Sequence, residues 1–250
     1  MNRQAQSAVL FLLGASLLHA GTTDLYLRYV KQGLRPLVLL AGAVLIAAAV
    51  ATVFYELKRS RSRKRAHDEH PDAEDLHGEH THPEPRVSWL LILPLLALIL
   101  VAPPALGSYS ATRTGTALQE PLAYPDLPAA DPLPLAVVDY AGRAVYDHGR
   151  TLRGRRVELT GFLALDRDGT PYLVRMALNC CAADAQPVKV ALTGEVPPVL
   201  QPDTWLRVTG TYTPRRAKDP VNGGPIPFIE VTQAKPVAEP TDPYDESWNG

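Results

Sequence analysis

RRVELTGFLALDRDG, residues 155–169, decides the fold of the carboxy-terminal half of this 250-residue chain. Val157, Leu159 and Gly161 alternate with polar neighbours at the two-residue period of a half-buried strand, and Asp168-Gly169 supplies a hairpin turn. Four further stretches read the same way: TPYLVRMALNC (170–180), QPVKVALTG (186–194), TWLRVTGTYTP (204–214) and PFIEVTQAKPV (227–237). Five short strands with glycine kinks at Gly161 and Gly210 predict a small closed β-barrel of OB type over residues 134–238. Just before them, LAVVDYAGRAVYDHG (135–149) spaces Val138, Ala141, Val145 and Tyr146 as one helix face and closes at Gly149. The proline-rich stretch 107–133 reads as a linker, and 239–250 as a flexible tail.

Upstream the composition changes. LVLLAGAVLIAAAVATVFY, residues 37–55, is nineteen residues without a charge. At about 1.5 Å per residue, it matches the roughly 30 Å hydrocarbon core of a bilayer. WLLILPLLALILVAPPAL (89–106) reads as another span, with Trp89 suited to the interface, Pro94 kinking it and Pro103-Pro104 ending it. Residues 4–23 are also free of charge and read as a first membrane helix, with a signal peptide as the competing reading. The run KRSRSRKR (58–65) carries six positive side chains and places its loop in the cytoplasm. The amino terminus then lies inside and everything after the third span outside. Arg28, Lys31 and Arg35 in the outer loop run against the same rule. The expected fold class is an α+β membrane protein of three transmembrane helices, two of them in residues 1–57 and the third in 88–106. An extracytoplasmic OB-like small β-barrel domain follows, and the location is a bacterial cell membrane, multi-pass.

Two segments hold metal-ligating side chains. Residues 58–87, a basic run and then a stretch rich in histidine and acids, have no apolar period and read as a disordered cytoplasmic loop. It contains five of the seven histidines, His67, His70, His77, His80 and His82. Their spacing puts several imidazoles within reach of one ion such as zinc, nickel or copper, whereas the plain alternative is a solvated spacer. The second segment is LVRMALNCCAADAQPVKV (173–190), with the chain's two cysteines, Cys180 and Cys181, side by side. On an extended strand consecutive side chains face opposite ways, so the two sulfurs can share an ion only where the chain turns. A turn through Ala182-Ala183-Asp184 would bring the Asp184 carboxylate beside them, with His148 as a fourth donor from elsewhere. The alternatives are a core-packed cysteine, a vicinal dithiol redox pair, strained by a Cα spacing of about 3.8 Å, and a Cys-His enzyme using His148.

The formal net charge of −1 gives no global attraction to nucleic acid. Between Arg150 and Lys218, eleven basic residues outnumber six acidic ones, and Phe162 and Tyr172 are the aromatics available to stack bases. An extracytoplasmic barrel opposes that use, and the basic face is assigned to lipid headgroups or a partner.

GTPYLVRMALNCCAADAQPVKVAL (169–192), with a following tryptophan, a V-x-G-x-Y and a closing P-x-D-P-Y, resembles the YcgQ-like family of bacterial membrane proteins, the small subunit of a two-component permease complex. The resemblance implies a larger multi-span permease as partner and a link with zinc homeostasis, and it implies that Cys180, Cys181 and Asp184 act as a unit. It implies no catalytic residues. The expected function is thus an accessory permease subunit, not an enzyme, that binds a transition metal, zinc first. A purely docking subunit and a redox protein are the competing functions.

Overall fold

The structure is a computed structural model describing residues 3–69, 92–101, 104–196 and 201–246, and it divides into two compact units. The first comprises residues 1–26 and 33–103; the second comprises 27–32 and 104–250.

In the first unit, α1 (Arg3–Thr22) and α2 (Arg35–Glu69) pack as a hairpin. Both contain stretches long and apolar enough to cross a membrane, Gln4–Thr22 and Gln32–Arg61. Phe11, Leu37, Leu40, Val44, Val50 and Phe54 point outward, so these helices are not the buried core of a globular domain. Their approach is close because it runs over glycines: a Cβ on Gly14 would meet the Gly42 carbonyl oxygen at 2.9 Å. The Arg35 Nε donates to the Gly21 carbonyl at 2.9 Å and fastens the turn end of the hairpin.

Two differences from the sequence reading fall here. The basic run 58–65, expected in a disordered loop, is helical, because α2 continues through Glu69. Lys, Arg and Ala are good helix formers, and an established helix propagates at little cost per residue. The third span is described only as α3 (Ile92–Leu100), nine residues, followed by non-helical chain at Val101 and 104–107. Its Pro94 stands in the first turn, where a missing N–H is harmless.

The second unit is the barrel. Its strands are β1 (Leu133–Leu135), β2 (Arg156–Leu165), β3 (Pro171–Leu178), β4 (Gln186–Gly194), β5 (Trp205–Lys218), β6 (Pro225–Pro236) and β7 (Tyr244–Glu246). Five of them close a ring in the order β2-β5-β6-β4-β3, with β3 returning to β2. All neighbours in the ring are antiparallel except β4 and β6. Gly161 lies where β2 passes from β5 toward β3, and a Cβ there would meet the Val174 carbonyl oxygen at 2.7 Å. Gly210 lies at a register shift between β5 and β6.

β2 and β3 pair only over Phe162–Leu165 and Pro171–Val174, then diverge. Parallel strands cover the edges this leaves: β1 lies on β2, and β7 lies on β3 at Met176, Ala177 and Leu178. Covered edges cannot recruit foreign strands. β7 also corrects the expected tail, since Tyr244 and Asp245 are buried.

Val157, Leu159, Leu173, Val188, Val190, Val208 and Ile229 fill the ring, and α5 (Val137–Val145) adds Val137, Val138, Tyr140 and Ala141 to the same core. A second apolar layer on the outer face holds Phe162, Tyr172, Val174, Met176 and Ala191, covered by Ala111 of α4 (Ser108–Arg113). Burial in that layer, at 2% and 6% exposure, removes Phe162 and Tyr172 as base-stacking platforms. It also accounts for the linker: α4 and the chain after it are held on the barrel, with the Thr116 N–H donating to Asp219 and Ala117 N–H to the Pro187 carbonyl.

Candidate functional site: the loop between β3 and β4

β3 ends at Leu178, the chain bends at Asn179 and Cys180, a single 3₁₀ turn occupies Ala182–Asp184, and β4 begins at Gln186. The turn exists because Asp184 folds back on it. Its Oδ1 accepts from the Asn179 N–H at 3.1 Å and its Oδ2 from the Cys180 N–H at 3.0 Å, while its own N–H donates to the Cys181 carbonyl at 3.0 Å. A short acidic side chain that bonds nearby backbone is the usual means of stabilising such a turn. The outcome is a cluster: the Cys180 and Cys181 sulfurs and a carboxylate oxygen of Asp184 lie within 4.8 Å of one another. Among the described residues no other group of histidine, cysteine and acidic side chains comes together in this way.

Both cysteines are free, Cys180 exposed and Cys181 half-buried. The Cys180 thiol is pushed up to about 11, first by its hydrogen bond to Asp184 and then by Cys181. Burial alone would raise the Asp184 carboxyl, but the Cys180 thiol and the surrounding backbone N–H groups outweigh it and hold the group below the ordinary carboxylate value. At neutral pH the cluster is therefore a carboxylate facing a protonated Cys180 thiol.

The loop is gripped from its other side by a segment absent from the sequence reading of the site. Val30 forms an antiparallel bridge with Cys181. The Lys31 N–H donates to the Cys180 carbonyl at 3.1 Å, and the Ala182 N–H donates to the Tyr29 carbonyl at 2.8 Å. The Tyr244 hydroxyl donates to the Arg28 carbonyl at 3.2 Å, and the Lys31 ammonium lies 3.2 Å from Glu246. One signal was present in the sequence: Lys31 is among the positive charges that ran against the orientation rule, and its partner stands on β7. The Arg175 guanidinium on β3 pairs with Asp245 at 3.0 Å, and the other oxygen of Asp245 accepts from the Val138 N–H at the start of α5. The DPYD stretch 242–245 thereby ties β3, α5 and residue 28 together.

His148 is placed elsewhere. It is an exposed residue with φ of 51°, its Nδ1 is 3.1 Å from an Arg216 guanidinium nitrogen, and it is not in the cysteine group. His67 stands in the last turn of α2, while His70, His77, His80 and His82 lie outside the described residues.

The family described as DUF1980 C-terminal domain matches residues 139–245, from α5 through Asp245. That stretch includes the cysteine loop and most of β7 but not residues 27–32. No curated protein and no solved structure matches the chain.

The donor set suits a borderline ion. Two sulfurs and one carboxylate oxygen are zinc ligands by type, and a tetrahedral shell leaves one place for water or a donor from a partner. Each Asp184 oxygen accepts one backbone N–H and retains a lone pair.

Proposed function

We propose that this chain is the accessory subunit of a bacterial membrane permease and that its barrel holds a transition metal, zinc first, at Cys180, Cys181 and Asp184. The observation that carries the metal reading is the convergence of three donors on an exposed loop whose backbone is tied down. Ligand binding there does not have to order the loop first. For the ion to bind, the Cys180 thiol must release its proton, so affinity rises with pH.

The permease partner rests on the YcgQ-like resemblance, with which the matched carboxy-terminal domain is compatible. The OB-like reading of the barrel rests on its ring order, two hairpins plus a parallel β4–β6 contact. Three spans follow from a parity argument. Residues 29–31 connect α1 to α2 and pair with the barrel loop, so connector and barrel share one face of a membrane crossed by both helices. The chain must then cross once more after α2, and 89–106 is the apolar stretch available. The basic run on α2 assigns the barrel face to the outside.

Zinc titration of the full chain in lipid nanodiscs, with alkylation of both cysteines followed by mass spectrometry, tests the metal reading. Zinc should protect Cys180 and Cys181 from alkylation. Equal alkylation with and without zinc overturns it.

A further inference from the structure

We infer that the connector between α1 and α2 is part of this site and reports its occupancy; the inference rests on the metal reading. The positions of the two sulfurs are set by the backbone at residues 180 and 181, and the groups that fix that backbone come from two directions. Asp184 holds the Cys180 N–H from within the loop. Tyr29 and Lys31 hold the Ala182 N–H and the Cys180 carbonyl from outside it. The bridge keeps Cys181 extended, at φ −154° and ψ 168°. Without the connector, nothing on that side opposes rotation of the peptide between the two cysteines.

Groups that orient a ligand without touching the ion change affinity by about 10- to 100-fold when removed. By linkage, an ion that binds better to the clamped loop must tighten the clamp by the same factor. The clamp is the segment that begins and ends at the apolar helices: Leu27–Gln32 lies between α1 and Arg35, where α2 starts. Zinc captured on the barrel therefore stabilises one conformation of the helix connector, which gives an accessory subunit a way to pass metal status to the membrane.

The test uses the full chain in lipid nanodiscs, zinc alone as the probe, and three variants. Lys31→Pro deletes the N–H that bonds Cys180, Lys31→Ala keeps that N–H but loses the Glu246 ion pair, and Tyr244→Phe loses the bond to Arg28. Lys31→Pro should weaken zinc binding about 10-fold or more, Lys31→Ala should stay within about twofold, a surface ion pair contributing little, and Tyr244→Phe should fall between them. In the unsubstituted chain, hydrogen exchange of the Lys31 and Ala182 amides should slow when zinc is added, a readout independent of any variant. Zinc binding with unchanged exchange at both amides and an unchanged affinity in Lys31→Pro overturns the coupling and leaves the metal site standing. Failure of the unsubstituted chain to bind zinc overturns both.

Discussion

Two aspartates on the barrel are built alike and are put to opposite uses. Asp219, after β5, accepts from the Thr116 and Val221 N–H groups, and Asp184 accepts from the Asn179 and Cys180 N–H groups. Both carboxyls are held below their ordinary value. For Asp219 the raising effect of burial is outweighed first by the Lys189 ammonium, 2.7 Å away. Lys189 and Asp219 are 4% and 0% exposed, and the chain after α4 covers them. Asp184 faces a thiol at the surface. A carboxylate sealed against a fixed cation has no capacity left for a ligand; one that faces a displaceable proton does. The difference lies in the partner and the cover, and the aspartates themselves would not reveal it.

The largest effect should come from the sealed side. Lys189→Ala leaves Asp219 buried without its cation and should destabilise the barrel by about 3–5 kcal/mol, measured by urea unfolding followed by tryptophan fluorescence. A loss below about 1 kcal/mol would show that the pair is solvated. On the open side, Cys180→Ser or Cys181→Ser should leave stability nearly unchanged and weaken zinc binding by about 100-fold, or roughly 2.7 kcal/mol. In the unsubstituted chain that affinity should rise from pH 6 to pH 8 by up to about tenfold per unit for each proton released. A flat pH profile would mean that no thiol proton is displaced.

Asp184→Asn removes the group that raises Cys180 most, so the thiolate fraction at pH 8 and the alkylation rate at Cys180 should increase about tenfold. The same group gives a signed pH effect on the loop. A thiol raised from 9.0 to about 11 stabilises the fold below pH 9, and that contribution disappears as pH rises toward 11. The depressed carboxyls of Asp184 and Asp219 do the reverse, stabilising above about pH 4 and losing the contribution as pH falls through their folded values. Local amide exchange across both ranges would separate them. The smallest effect belongs to His148→Ala, which should leave zinc affinity unchanged and cost less than about 0.5 kcal/mol, as for an ordinary surface position.

The five ring strands and α5 were legible because their periodicities are local, and the glycines at 161 and 210 fell at a passage between neighbours and a register shift. β1 and β7 were not: three-residue strands have too few positions to show a period, and both exist only because β2 and β3 diverge. At the site, adjacency alone implied that Cys180 and Cys181 needed a turn to cooperate, and Asp184 was the visible candidate to make it. The grip of Tyr29 and Lys31 was illegible because it uses backbone groups, which every residue carries. His148 entered as the histidine available outside the membrane and the loop, a matter of count, and the fold sends it to Arg216.

The bond from Tyr244 to Arg28 joins residues 216 apart in the chain. A ribosome releases the connector early and Tyr244 almost last, so throughout synthesis the helical hairpin exists with its clamp open. Only a finished chain can close it. A fragment that stops short of β7 folds most of the barrel yet leaves the connector unanchored, which makes the contact a built-in mark of completeness: any partner that recognises the closed clamp will pass over truncated copies.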